Sequence, residues 1–446
     1  MKQNNMPMTR ICVVMFVAVL SAAVSAGRTA SSSGGRNDPA ADEDRLLVMF
    51  WNLENMFDYR DSGTGESDAE FSSFGQRRWT KRRFYTKCNA VAKSILWIAD
   101  REGRLPDVIG VAEVENAFVV RSIISATALK KYGYRMVHFD SPDRRGIDVA
   151  LLYREDVFEK LSARPCHIYV NCDSLSVEHG GGSEKAGGQP EQEKPVHDDA
   201  ECVTRQAELM RTRDILSVSL RHRADGRTYH FLVNHHPSKY GGAKASEGRR
   251  RIAMQRLRDL CDSLYAAGGD VSGGAGAACD RVSGTMPRSG IGENRDVRII
   301  AMGDFNDTPS RGPFDVLCGG DRQSETGVRN RSGADRCGIV PGRNAMVNLG
   351  NALEAEGEGT IRYGGKWELI DMFIVSQSLA GKSSGLDGVE RSRSRMEVAR
   401  IPFLMTRDNT HVGDRPLRTY SGPRYTGGVS DHCPVILTIA PLADDF

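Results

Sequence analysis

Apolar residues along this chain fall into two kinds of run. Short, nearly continuous ones occupy Arg45–Trp51, Pro106–Val114, Tyr134–Phe139, Ile147–Tyr153, Asp214–Arg221, Thr228–Asn234, Val297–Met302, Trp367–Val375 and Pro434–Ile439. Runs of that length, rich in β-branched and aromatic residues, predict buried strands. The other kind is periodic. Across Trp79–Arg101, residues Phe84, Cys88, Val91, Ile95 and Ile98 recur at steps of four and three, which predicts one face of an amphipathic helix. Ala253, Leu257, Leu260 and Leu264 predict another over Ala243–Ala266, and a third helix is read over Asn116–Lys131. Ala224-Asp225-Gly226-Arg227 lies between two strand runs, and Asp-Gly in that setting signals a hairpin. Strand–helix–strand followed by hairpin-linked strands predicts an α+β domain of two mixed β-sheets packed face to face, with outer helices.

Polar stretches interrupt this pattern. Residues 173–200, 268–296 and 319–343 are poor in apolar side chains and read as flexible inserts in a domain spanning 45–446, and 27–44 reads as a disordered leader. At the N-terminus, Lys2 and Arg10 precede the apolar stretch Ile11–Val24, which ends in Val24-Ser25-Ala26 before Gly27. That three-part pattern predicts a signal peptide over 1–26, cleaved after Ala26. The stretch is shorter than the ~20 residues a membrane span needs, so no stable anchor is expected and the protein is read as secreted or periplasmic. A monomer is the expectation.

Composition adds few constraints. The chain has 446 residues, 26% of them charged, and a net charge of +2, so bulk charge does not point to a polyanionic partner, although a local basic cleft fits within a balanced total. Ten cysteines include Cys12 in the leader, leaving an odd nine from which no pairing follows, and no C-x-x-C spacing suggests structural zinc.

The candidate chemistry gathers where apolar runs end. Gly303-Asp304-Phe305-Asn306 follows the strand at 297–302, and Ser430-Asp431-His432 precedes the last one. If the strand continued, Asp304 and Asn306 would share a face and present a carboxylate and an amide together. Glu113 closes the run 108–112, where a nearly buried carboxylate needs a cation; Glu115 competes for that role. Asn52, in Trp51-Asn52-Leu53-Glu54-Asn55, is either a turn amide or a phosphate donor. Arg145 is either an edge-strand ion pair or a phosphate clamp. Of the adjacent His235 and His236, one is expected to face the site. Lys239, Lys244 and Arg249-Arg250-Arg251 add positive charge nearby, more commonly a solvated face than a phosphate surface. Asp371, inside an apolar strand, is a good partner to fix the tautomer of His432. Asn306-Asp307-Thr308 and Asn330-Arg331-Ser332 match the glycan acceptor pattern, the first read as chance.

Taken in order, these motifs resemble the endonuclease/exonuclease/phosphatase superfamily, from about Leu46 to Ile439. The resemblance implies a four-layered αββα sandwich and in-line hydrolysis of a phosphoester with Mg²⁺ or Mn²⁺. Position by position it implies that Asn52 and Glu113 belong to the first metal site, with Asn52 also touching substrate; Arg145, as a phosphate clamp, would contact substrate beside them. His235 becomes a phosphate-binding residue. Asp304 and Asn306 would activate the attacking water and hold the phosphate, Asp371 would orient His432, and Asp431 would be the last metal or water carboxylate. Whether Asp304 or the Asp371–His432 pair is the base stays open. His236 departs from the tryptophan common in related sequences. The leading expectation is an exported nuclease with nucleic acid as substrate. The alternatives are a phosphoesterase acting on lipid head groups or inositol phosphates, and a non-catalytic binding module, which should have lost at least one of Glu113, Asp304, Asp371, Asp431 or His432.

Overall fold

The computed structural model describes residues 45–63, 65–170, 207–239, 242–268, 297–317, 346–380, 382–384, 390–392 and 394–440. The segments read as a signal peptide and leader lie outside the described residues, as do the three expected inserts apart from Gly268. No helix among the described residues is long and apolar enough to cross a membrane.

Two six-stranded sheets organise the chain. The first contains β1 (Leu46–Met56), β2 (Val108–Val114), β3 (Tyr134–His138), β4 (Asp148–Arg154), β11 (Ser394–Val398) and β12 (Val435–Ile439), in the order β11-β12-β1-β2-β4-β3. The second contains β5 (Phe158–Cys166), β6 (Ile215–His222), β7 (Thr228–His235), β8 (Arg298–Asp304), β9 (Met346–Asn348) and β10 (Asp371–Ser376), in the order β9-β10-β8-β7-β6-β5. Each is mixed: β1 and β2 run parallel, as do β7 and β8, while the other pairs are antiparallel.

The layers follow from which strand faces are apolar. Val48, Phe50, Val108 and Leu437 of the first sheet share one core with Phe231, Ile300, Met302 and Phe373 of the second, and the same core continues to Ala253, Met254 and Leu257 of α3 (Glu247–Ala266). On the outer side of the first sheet, Leu47, Met49 and Ile109 pack against Phe84, Cys88, Val91, Ile95 and Ile98 of α1 (Lys81–Glu102) and against α2 (Ala117–Ser125). Strands buried on both faces therefore carry apolar residues at odd and even positions alike. The result is the expected αββα order. Thr80 caps α1, and Gly103, at φ 71°, ends it in the left-handed region that favours glycine.

Several predicted elements shift. The helix read over 116–131 is two pieces, because Thr127 turns its hydroxyl back to the Ile123 carbonyl (2.6 Å) and then caps a 3₁₀ turn at Ala128–Lys131. The run Trp367–Val375 is not one strand. Its first part closes a small hairpin (Ile361–Tyr363 with Lys366–Glu368), and β10 starts only at Asp371. Strand β5 had no clear signal, since most of its residues are only half-buried and show no alternation. Among the cysteines, Cys88, Cys261 and Cys433 are free and buried, whereas Cys166 is disulfide-bonded.

Candidate active site

Register brings the key residues into one row. Asp304, the last residue of β8, lies directly opposite Asp371 on β10 and His235 on β7. Directly paired residues share a face, so the three side chains converge at the rim of the second sheet. The first sheet meets them through the end of β1 and the turn before β12. Trp51 donates its indole N–H to the His432 carbonyl (2.9 Å), Ser430 Oγ donates to the Asn52 carbonyl (2.7 Å), and His432 N donates to Ser430 Oγ (3.0 Å). Three local bonds thus pin a loop residue 381 positions from Trp51 over the row.

Asp371 Oδ2 sits 2.7 Å from His432 Nδ1, leaving Nε2 to face the site, 3.9 Å from Asp304 Oδ2. That separation is too long for a hydrogen bond, so both atoms are open to a third group. Asp304 Oδ2 is also 3.0 Å from Asn52 Nδ2 and 3.7 Å from His235 Nε2, and its Oδ1 accepts from Asn306 N at 2.9 Å. Burial, then the charge of Asp371, pushes the Asp304 carboxyl up to about 7 against the pull of His432 and the two amides. Burial opposes the imidazolium of His432, but Asp371, Asp431 and Asp304 outweigh it and hold its pKa well above the usual value. His235 goes the other way. Burial, with the charges of Arg213 and Arg145, keeps it neutral by a wide margin.

Glu113 reaches the site through a bulge. It interrupts the pairing of β2 with β4 between Ala112 and Val114 and adopts φ 60°, an uncommon backbone for a side chain of this size. Its carboxylate accepts from Asn55 N (2.7 Å) and Asn52 Nδ2 (3.3 Å) and stands 3.9 Å from His235 Nε2. The bulge corrects the reading that Glu113 and Glu115 share a face. Glu115 is buried away from this row, where it accepts from Asp58 N.

Two further expectations change. Strand β8 stops at Asp304, and Asn306 takes φ 53°, so strand alternation is not what brings the pair together. Asn306 is held instead by its backbone bond to Asp304, with its amide donating to the His236 carbonyl at 3.0 Å. Asn52 spends its Oδ1 on Glu54 N (2.9 Å), so it offers an NH₂ to the two carboxylates rather than an oxygen to a metal. Asp431 is half-buried, 3.8 Å from His432 Nε2 and ion-paired with Arg418 at 3.0 Å. Arg145 lies on the rim, bonded to Asn55 Oδ1 and 3.8 Å from Glu113. Of the basic run, Arg250 is fully buried against Asp307, and Lys239 lies 3.6 Å from both Asp307 and Glu368.

Arg213 had no sequence signal. It donates to the carbonyls of His235 (3.2 Å) and His236 (2.7 Å) and pairs with Asp143 (3.1 Å), whose other oxygen accepts from Arg145 N. His236 turns away from the row, with its ring edge against Phe305.

The donor set suits a hard divalent cation. Buried and near-buried carboxylates converge from Glu113, Asp304 and Asp371, and Asp371 Oδ1 is buried without a hydrogen-bond partner. Asp304, Asp371 and His432 lie close enough to act as ligands to one ion.

Two stacked mixed sheets with polar groups gathered at one rim form the αββα class of sandwich that the sequence motifs led us to expect. The family model described as Endonuclease/Exonuclease/phosphatase family matches residues 47–177, 192–272 and 278–441, and the chain belongs to that family. It is similar to an endonuclease/exonuclease/phosphatase family protein from Bacteroides thetaiotaomicron, at 13% identity over 89% of this chain and 97% of that one, TM-score 0.41. A mannosyl-6-phosphatase from the same organism aligns at 12% identity over 88% and 98%, TM-score 0.41. TDP2 of D. rerio, complexed with a single-strand DNA product, aligns at 11% over 89% and 100%, TM-score 0.40. No curated protein matches the chain.

Proposed function

We propose that this chain is an exported, Mg²⁺- or Mn²⁺-dependent phosphodiesterase that hydrolyses nucleic-acid backbones. The observation that carries the reading is the surround of Asp304 Oδ2: an amide at 3.0 Å, a neutral imidazole at 3.7 Å and a carboxylate-backed imidazole at 3.9 Å.

The two imidazoles are pushed towards opposite protonation states, His235 neutral and His432 protonated, which divides the roles around Asp304. Asp304, near 7, accepts a proton from the attacking water at ordinary pH. His432, kept protonated by Asp371, donates from Nε2 to a phosphoryl oxygen as charge builds on it. Neutral His235 and the NH₂ of Asn52 donate to the remaining oxygens, and Arg145 guards the rim. Glu113, with Asp431 from the turn before β12, would hold the cation beside Asp304. A bound divalent ion supplies Lewis-acid polarisation of the phosphate and charge neutralisation at the leaving oxygen. Export rests on the N-terminal leader pattern alone.

The test uses the purified mature protein with plasmid DNA, RNA and bis-p-nitrophenyl phosphate, with Mg²⁺ and then with EDTA. EDTA-sensitive cleavage of nucleic acid is expected. Turnover of the small diester alone would move the substrate to lipid or small phosphoesters and retire the nuclease reading.

A further inference from the structure

Beside the row of Asp304 lies a recess of about 220 Å³, lined by Glu54, Asn55, Arg77, Arg418, Thr419 and Tyr420 among others. It is below the size of a pocket for a drug-like ligand but roomy for a phosphate group. It adjoins the active site through two shared residues. Asn55 holds Glu113 through its backbone N–H and Arg145 through its side-chain oxygen. Arg418 reaches from the recess to Asp431, the neighbour of His432, at 3.0 Å.

Both arginines in the recess are braced from behind. Arg77 pairs through Nε with Glu70 at 2.7 Å and bonds the Gly422 carbonyl, while its guanidinium lies over Phe71 (5.5 Å) and Tyr420 (5.4 Å). Arg418 pairs through Nε with Glu54 at 3.1 Å, and the second oxygen of Glu54 accepts from Thr419 N at 2.8 Å. Lys87, fully buried on α1, ties the same corner together by donating to the Glu54 carbonyl (2.5 Å) and Thr419 Oγ1 (2.8 Å). Glu54 and Lys87 are therefore spent on holding the Arg418–Thr419 segment in place. What they hold stays open to solvent: the Arg418 side chain is 49% exposed and that of Arg77 27%. Arg77 Nη2 and Arg418 Nη1 have no hydrogen-bond partner among the described residues.

A pair of oriented guanidiniums with unspent N–H groups suits a tetrahedral oxyanion better than a base or an apolar group. We infer that this recess is a second phosphate subsite, which takes the phosphate next to the scissile one in a polynucleotide, with Arg77 and Arg418 as its donors. The inference rests on the phosphodiesterase reading for its substrate. It extends that reading by requiring that a second phosphate on the substrate be recognised through Arg77.

The experiment compares TpT with pTpT and TpTp, dinucleotides that add one phosphate at either end. In Mg²⁺, kcat/KM is measured for the parent chain and for Arg77→Ala and Arg77→Lys. In EDTA, binding of the same dinucleotides is measured by fluorescence anisotropy, which needs no turnover. The parent chain should favour one of the two phosphorylated forms, and Arg77→Ala should cut that preference by about tenfold, the loss expected for one charge-assisted contact. Arg77→Lys keeps the charge without the fork and should lose less. It decides the matter if removal of the stem from Phe71 and Tyr420 prevents Arg77→Ala from folding. The salt dependence of binding should also become shallower by about one unit of slope in the alanine variant. An equal preference in parent and variants, with TpT still cleaved, overturns the subsite and leaves the nuclease reading standing. Absence of cleavage for all three dinucleotides, with a phosphate-dependent, Arg77-dependent gain in binding, supports the subsite and overturns the nuclease reading instead.

Discussion

Two trios of one histidine and two aspartates stand at strand ends in this protein, and they behave differently. Asp304, Asp371 and His432 form one; His138, Asp140 and Asp148 form the other, and either could offer three ligand atoms to one ion by proximity alone. In the second, Asp148 is fully engaged. One oxygen faces His138 Nε2 at 3.1 Å, and the other accepts from Ser141 N and Ser141 Oγ. Asp140 points to solvent, its side chain 88% exposed. In the first, all three residues are buried, two carboxylates compete beside one imidazole, and Asp371 Oδ1 has no partner. Burial raises the pKa of both Asp148 and Asp304, but His138 and Ser141 relieve the first, whereas the charge of Asp371 adds to the second. Composition marks neither trio as a site. Unmet hydrogen bonding and crowding of like charges distinguish them.

That contrast breaks most directly by substitution. Asp304→Ala or His432→Ala should lower kcat on bis-p-nitrophenyl phosphate by about a thousandfold or more, as expected when an acid–base group or an oxyanion donor is lost. Asp148→Asn should leave the rate near that of the parent and appear instead as about 1–3 kcal/mol of lost stability in urea titration. Equal losses of rate at Asp148 and Asp304 would erase the distinction.

Next in size is Asp371→Asn. It preserves shape but removes the charge that keeps His432 protonated, so kcat should fall by about a hundredfold or more. The alkaline limb of the pH–rate profile should also move to lower pH, because the His432 imidazolium loses its largest favourable neighbour. An unmoved limb would exclude protonated His432 from the rate-limiting step.

The smallest effect concerns stability. The Asp304 pKa is about 7 in the folded chain against an ordinary 3.8, so across that window the folded state keeps a proton that the unfolded state has released. Stability from this group is present below about 4 and is lost as pH rises towards 7. In EDTA, Asp304→Asn should therefore gain on the parent at pH 8 relative to pH 4, read as the difference in urea midpoints. A pH-independent difference would mean that the carboxylate is not strained by its surroundings.

Much of the fold was legible because burial on both faces leaves a plain mark. Strands β1, β2, β7 and β8 read as apolar runs, and the α1 and α3 faces read at helical spacing, since each must fill a core from one side. Strand β5 was not legible because a half-exposed edge strand has no such pattern to keep. In the site, residues directly terminating an apolar run stood out, as a carboxylate there demands a reason. Arg213, Glu54 and Arg418 did not, since their importance lies in which distant carbonyl or carboxylate they meet.

The family and the two-sheet architecture were readable from the chain, which also marked Glu113, Asp304, Asp371 and His432 as candidates, because short-range patterns of burial and residue type carry that much. Folding was needed to show that His235, Asp304 and Asp371 form one row, that a left-handed bulge turns Glu113 rather than Glu115 into the rim, and that Asn52 presents its NH₂. Those outcomes depend on strand register and on hydrogen bonds between residues far apart in the chain, and no local pattern carries that information.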